Sequence, residues 1–172
     1  MANTYTLISS NVLSSSAASV TFSAIPATFT DLVLRISGRT DAAGIVSSGY
    51  IQMNSVTSTY SYTFIRGDGA SPTSGNDSAS YAGFYLGGVD GGGATSNTFS
   101  NHEFYFPNYT AATAKPVSQF SVNETNATTA YIFGVANLCS STAAISSLTI
   151  NLNGGVSFVS GSSFYLYGVK NS

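Results

Sequence analysis

Charged side chains are scarce in this chain of 172 residues, and their scarcity excludes several functions. Lys and Arg number five, Asp and Glu number seven, and together they form 7% of the sequence, against about 25% in an ordinary soluble domain. So few scattered cations cannot follow a phosphate backbone, and we expect no nucleic-acid partner. Ser, Thr, Asn and Gly must cover the surface instead. The free-energy cost of desolvation is smaller for neutral polar groups than for ions when a protein neighbour buries them. The composition therefore favours a subunit of an assembly.

Disulfides, long apolar runs and a leader-like N-terminus are also missing. A lone Cys139 cannot form an intrachain disulfide, which excludes the small disulfide-stapled secreted classes. No apolar run approaches the ~18 residues of a membrane helix, and the first residues do not resemble a signal peptide, so we expect no membrane partner. With 43% apolar residues, the chain should fold as a single soluble domain, residues 1–172, around one core.

Short runs with alternating apolar residues predict strands. Leu32, Leu34 and Ile36 fall on one face of such a run, and Leu148, Ile150 and Leu152 do the same near the C-terminus. Eight to eleven strands fit the chain, and helix formers are scarce. We predict an all-β fold, an antiparallel β-sandwich of jelly-roll-like type, with a closed Greek-key barrel as the alternative.

Turn signals separate these runs. Asn153-Gly154 lies between two strand-like segments and predicts a turn of the hairpin kind, because both residues tolerate positive φ. Residues 67–80 and 87–97 are rich in Gly and Ser and are predicted to be long loops. Arg66-Gly67-Asp68 resembles an adhesion tripeptide, but Gly followed by Asp-Gly also marks the exit of a strand into a turn, which we prefer.

Candidate catalytic groups are few. His102 is the single histidine and stands beside Glu103, but neighbouring strand residues project to opposite faces and cannot serve one reacting centre. The chain has no G-x-S-x-G elbow, and one His with one Cys cannot form an ordinary zinc site. We therefore predict no enzyme, no catalytic residue and no cofactor.

Calcium is the metal that the sequence excludes least firmly. Asp68, Asn76, Asp77 and Asp90 lie in the Gly-rich segments and carry the oxygen ligands that calcium prefers, although their spacing is not that of an EF-hand. The alternative is that they are solvated turn residues, and we assign no metal site.

Tyrosine is abundant, with eleven residues, and the chain has no Trp. Alternating tyrosines in strands are most often core, but on an outer face they suit a protein interface or, less well without Trp, a sugar. The tyrosines that we predict as candidate interface residues are Tyr5, Tyr60, Tyr62, Tyr105, Tyr109, Tyr165 and Tyr167.

Four stretches together carry a family resemblance. They are "TYTLISSNVLSSSAASVTFSAIPATFTDLVLRISGRTD", "YSYTFIRGDG", "FYFPNYTAATAKPVSQFSVNETNATTAYIF" and "GSSFYLYGVK". Over nearly the whole chain the sequence resembles small β-rich structural virion proteins of tailed phages, common among phages of cyanobacteria. The resemblance brings no catalytic motif with it.

The resemblance implies a place in a virion made in the cytoplasm of a bacterial host. One role is a capsid decoration or cement protein that bridges neighbouring capsid subunits. Its partners would be further copies of itself, as a dimer or trimer, and the major capsid protein. The alternative role is a tail-fibre or receptor-binding adhesin that recognises a host surface glycan.

Overall fold

The computed structural model describes residues 4–126 and 130–170, and within them the side chains of all but residues 78–80. These residues contain no helix that could cross a membrane. They form twelve strands: β1 (Tyr5–Val12), β2 (Ser19–Phe22), β3 (Asp31–Gly38), β4 (Val46–Met53), β5 (Tyr60–Gly67), β6 (Thr73–Tyr81), β7 (Phe84–Asp90), β8 (Ser100–Phe106), β9 (Lys115–Glu124), β10 (Ala130–Cys139), β11 (Leu148–Leu152) and β12 (Ser163–Val169).

The strands form two antiparallel sheets of unequal width. The large sheet has the order β1-β12-β3-β8-β9-β10-β5-β6, and the small sheet has the order β2-β11-β4-β7. Neither sheet closes on itself, so the prediction of an antiparallel β-sandwich is confirmed and the closed-barrel alternative is wrong.

The core lies between the two sheets and follows the period-two pattern of the sequence. Leu32 and Leu34 of β3, with Phe104 of β8, point inward from the large sheet and are fully buried. Ile51 of β4 and Ile150 of β11 meet them from the small sheet and are equally buried. Burial of this apolar surface, at about 25 cal/mol per Å², is the main term that holds the sandwich together.

The edge of the small sheet is capped by side chains of the large sheet. Strand β7 has no neighbour on one side, so its backbone groups need other partners. The Tyr85 amide donates to Asn137 Oδ1 at 2.7 Å, and Gln119 Nε2 and His102 Nδ1 both donate to the Leu86 carbonyl, at 3.1 and 3.0 Å. Polar residues inside the sandwich are therefore partners of an edge strand.

Two adjacent glycines let β7 approach the large sheet closely. A Cβ on Gly87 would lie 2.8 Å from Ser121 Oγ, and Gly87 also has a φ of +78°. A Cβ on Gly88 would lie 2.6 Å from Asn123 Oδ1. The glycine pair that resembles a loop in the sequence is instead a close contact between sheets.

Three predictions about loops and turns need correction. Residues 73–81 form strand β6, and β7 runs to Asp90, so both predicted loops are shorter than expected. Strand β6 lies at an edge and pairs only with β5, so its polar sequence needs no apolar face. The turn at Asn153-Gly154 exists, with φ +78° at Gly154, but it leads from the small sheet to the large sheet and is not a hairpin.

Candidate assembly interface

The outer face of the large sheet is the side that points away from the small sheet. Strand registers place outward residues of all eight strands in one row that crosses the sheet: Ser74, Ile65, Gly134, Phe120, Glu103, Arg35, Tyr165 and Ser10. Eight strands at about 4.8 Å spacing and seven residues at about 3.3 Å give this face roughly 900 Å². It is the broadest regular surface among the described strands.

The outer face has very few charges. The two rows on either side of the central row contain no charged residue. The first row consists of Gly67, Ile132, Val122, Asn101, Ser37, Ser163 and Val12. The second row consists of Thr63, Ala136, Ser118, Tyr105, Val33, Tyr167 and Leu7. In the central row, Arg35 Nε donates to Glu103 Oε2 at 2.8 Å, and both side chains are about half exposed. An exposed pair of this kind adds at most about 1 kcal/mol to stability.

Large apolar side chains are exposed at one end of this face. Ile65, Phe120 and Ile132 keep 67%, 50% and 46% of their surface exposed, and we call these three residues the apolar patch. Gly134 lies between Ile65 and Phe120 in the register and leaves a gap there. The result is a concavity of about 330 Å³, which Pro72 also lines. Contiguous exposed apolar surface of this kind is typical of a protein contact.

Four of the predicted interface tyrosines lie on the outer face. Tyr165 and Tyr167 point outward from β12, and the ring of Tyr5 on β1 packs edge-on against Tyr167 with centroids 6.4 Å apart. Tyr105 points outward from β8, and its hydroxyl donates to Asp31 Oδ2 at 2.6 Å. That hydrogen bond to a carboxylate raises the pKa of Tyr105 to about 12. A contact role for these four tyrosines stays a prediction.

The other three predicted tyrosines lie elsewhere. Tyr60 and Tyr109 have no exposed surface and belong to the core, so the interface prediction is corrected for them. Tyr60 anchors a turn, because its hydroxyl accepts from the Met53 amide at 3.0 Å, and Tyr109 donates to the Pro26 carbonyl. Burial raises the pKa of both hydroxyls. Tyr62 points to the inner side of the large sheet, between the sheets.

His102 and Glu103 lie on opposite faces, as predicted. His102 is buried, whereas Glu103 is exposed. The imidazole is held by its bond to Leu86 and lies 3.0 Å from Ser100 Oγ, and burial lowers its pKa to about 4. The ring is therefore neutral at pH 7 and serves as a cap for β7.

Arg66-Gly67-Asp68 marks the end of a strand, as preferred from the sequence. Arg66 and Gly67 are the last residues of β5. Asp68 Oδ1 accepts from the backbone amides of Ser71 and Ala70, each at 2.9 Å, and these bonds lower the pKa of Asp68.

The structure does not gather the four residues that could have bound calcium. Asp68 closes the turn after β5, and Asn76 and Asp77 are neighbours in β6. Asp90 is buried at the end of β7, where its Oδ1 accepts from the Glu124 amide at 2.9 Å and burial raises its pKa. Within residues 4–126 and 130–170, no three His, Cys, Asp or Glu side chains are grouped to hold a metal ion.

No protein-family model matches this chain, and no curated protein shows significant sequence similarity to it. The apolar patch was not predicted from the sequence. A signal was present, because "YTFIRG" and "YIFGVA" have apolar residues at both odd and even positions, which is typical of strands with two covered faces.

Proposed function

We propose that this chain is a non-enzymatic structural protein of a phage virion, a capsid decoration or cement protein that bridges neighbouring subunits. The character of the outer face of the large sheet supports an assembly role, because this face is broad, almost uncharged and partly apolar. The sequence resemblance to small virion proteins supports the phage particle as the place of assembly.

A second copy of this chain is the occupant that the outer face fits best. A stable interface buries about 800 Å² on each partner, and the face offers roughly 900 Å². In a two-fold arrangement the same surface meets itself, so Arg35 of one copy can pair with Glu103 of the other without an unbalanced charge. Contact with the apolar patch removes Ile65 and Ile132 from water.

Sedimentation velocity over a range of concentrations tests this interface. We expect the wild type to form dimers or trimers, and Ile132→Glu to weaken association at least tenfold, because a carboxylate would be buried against apolar side chains. Ser19→Glu is the control, since Ser19 is exposed on β2 of the small sheet. A wild type that stays monomeric at high concentration, or an Ile132→Glu variant that associates normally, contradicts the proposal.

Copy number tests the place in the particle. Quantitative mass spectrometry of purified virions should find hundreds of copies per particle if the protein decorates the capsid. A handful of copies would point to the tail instead, and absence from the particle would contradict both roles.

A tail adhesin that binds a host glycan is the second candidate, and one observation favours it. The two sheets leave an aromatic cleft between them, formed by Phe64, Tyr85 and Phe133 with Arg66, Ser48 and Asn153. The rings of the cleft lie on the inner side of the large sheet, and Arg66 is the one named cleft residue that also lines the concavity at the apolar patch.

A further inference from the structure

The aromatic cleft exists because the large sheet is twice as wide as the small one. Strand β5 lies beyond β10 in the large sheet, and its inward residues Tyr62, Phe64 and Arg66 are only partly buried, whereas Phe133 on β10 is buried. The cleft has a volume of about 360 Å³, which lies at the lower end of the range of ligand sites.

One wall of the cleft is a packed set of rings. Tyr62 stacks on Tyr85 with centroids 4.5 Å apart and an angle of 19° between the rings. Phe64 packs 5.9 Å from Tyr85 and 6.3 Å from Phe133. These contacts fix the orientation of the rings, and burial raises the pKa of Tyr85. A fixed aromatic wall offers an apolar surface to a flat ligand at little cost in side-chain entropy.

Arg66 supplies positive charge in the cleft. Its guanidinium lies over the Tyr131 ring, 5.1 Å from the centroid, and its Nε is buried and has no hydrogen-bond partner among the described residues. The residues that line the cleft include no Asp or Glu. A guanidinium prefers a carboxylate as its hydrogen-bond acceptor, so an acidic ligand in the cleft would pair with Arg66 better than a neutral one.

The rim opposite the rings is polar and preorganised. Asn153 Nδ2 donates to Ser48 Oγ at 3.0 Å and lies 3.3 Å from the Tyr81 hydroxyl. These amide and hydroxyl groups can exchange hydrogen bonds with the hydroxyls of a sugar. The cleft thus combines a flat apolar wall, neutral polar groups and one cation.

We propose that the aromatic cleft binds a carboxylated sugar, such as a uronate unit of an acidic polysaccharide. The sugar ring lies against the wall of Phe64 and Tyr85, its hydroxyls face the Ser48 and Asn153 side, and its carboxylate accepts from Arg66. A neutral sugar offers Arg66 only hydroxyl acceptors, which bind a guanidinium more weakly than a carboxylate does, and a simple anion leaves the aromatic wall unused. This inference rests on the second candidate function, glycan recognition, and names its ligand class.

Titration of the wild-type protein by NMR with galacturonate, galactose and acetate tests the ligand class. We expect galacturonate to produce saturable shifts of the Phe64, Tyr85 and Phe133 ring signals, galactose to bind at least tenfold more weakly, and acetate to leave the rings unchanged. The shifts locate the site without any substitution, so the test does not depend on the folding of a variant.

Arg66→Gln tests the source of the preference for an acid. The variant keeps a hydrogen-bonding side chain but loses the charge, so galacturonate and galactose should then bind equally weakly. Arg35→Gln is the matched control, because it removes a cation from the outer face and should leave the preference unchanged.

The possible failures are distinguishable. If galactose binds the wild type in the cleft as tightly as galacturonate, the acidic class is wrong but glycan recognition stands. If neither sugar shifts the ring signals, or both act elsewhere on the surface, the inference is overturned together with the second candidate function. An Arg66→Gln variant that keeps its preference for galacturonate also overturns the inference. The sugar titrations of the wild type leave the assembly role untested, because that role depends on Ile65, Phe120 and Ile132, which do not line the cleft.

Discussion

The buried histidine predicts how the stability of this protein depends on pH. His102 donates from Nδ1 to the Leu86 carbonyl, and its surroundings lower its pKa from 6.5 to about 4 through burial. In the unfolded chain the same ring takes up a proton near pH 6.5. Between these two values the unfolded state binds more protons than the folded state, so stability falls as the pH falls.

The size of the effect follows from the shift in pKa. The contribution of His102 is complete above pH 6.5 and is lost as the pH falls from 6.5 towards 4. One pKa unit corresponds to about 1.4 kcal/mol, so a change from pH 8 to pH 5 should remove about 2 kcal/mol, and the full loss below pH 4 is about 3 kcal/mol. A loss of this size is a substantial fraction of the roughly 5–15 kcal/mol that is typical for the free energy of unfolding of a domain.

A comparison with His102→Asn isolates this contribution. Asn keeps a side-chain amide that can donate to the Leu86 carbonyl but does not titrate. Asp90 acts in the opposite direction, because burial raises its pKa and favours the folded state at lower pH, and its contribution is common to both proteins. Urea denaturation followed by tyrosine fluorescence at several pH values gives the free energy of unfolding of each protein.

The expected result is a difference in slope. The wild type should lose about 2 kcal/mol more than His102→Asn between pH 8 and pH 5. Parallel pH profiles would refute the reasoning, as would an imidazole NMR signal in the folded protein that titrates near pH 6.5.

Three substitutions test packing and capping inside the sandwich. Gly83→Ala should destabilise the fold by about 1–3 kcal/mol, because its Cβ would lie 2.6 Å from the Ile51 carbonyl oxygen. Tyr60→Phe should cost about 1–3 kcal/mol, since it leaves the buried Met53 amide without its acceptor. Asn137→Ala should lower the free energy of unfolding by roughly 1–3 kcal/mol, because it removes the acceptor of the Tyr85 amide on edge strand β7.

Matched controls distinguish these effects from general damage. Gly134→Ala meets only an ordinary contact of 3.5 Å to Ile65, and Tyr165→Phe alters a ring that is only partly buried on the outer face. Asn151→Ala changes a partly buried amide on the small sheet. Thermal melts should leave these three variants close to the wild type, and equal losses in test and control variants would contradict the explanation.

Period-two apolar patterns were enough to predict the fold class. The alternation of Leu32, Leu34 and Ile36 depends only on the geometry of an extended chain, in which every second side chain points the same way. The strand end at Arg66-Gly67 and the turn at Gly154 were equally local, because backbone torsions there limit the choice of residue. The opposite orientation of His102 and Glu103 followed from the same geometry.

Strand β9 shows what local pattern could not decide. Gln119 and Asn123 point into the sandwich, whereas Phe120 points out, the reverse of the usual preference. Gln119 faces inward because the unpaired edge of β7 needs a donor for its Leu86 carbonyl, which lies 33 residues earlier in the chain. The sequence by itself determined strands, turns and the alternation of faces, since these depend on neighbouring residues. Only the tertiary structure decided which face is covered, which tyrosines belong to the core, and where the apolar patch and the aromatic cleft form. These features depend on the pairing of strands that are distant in the sequence.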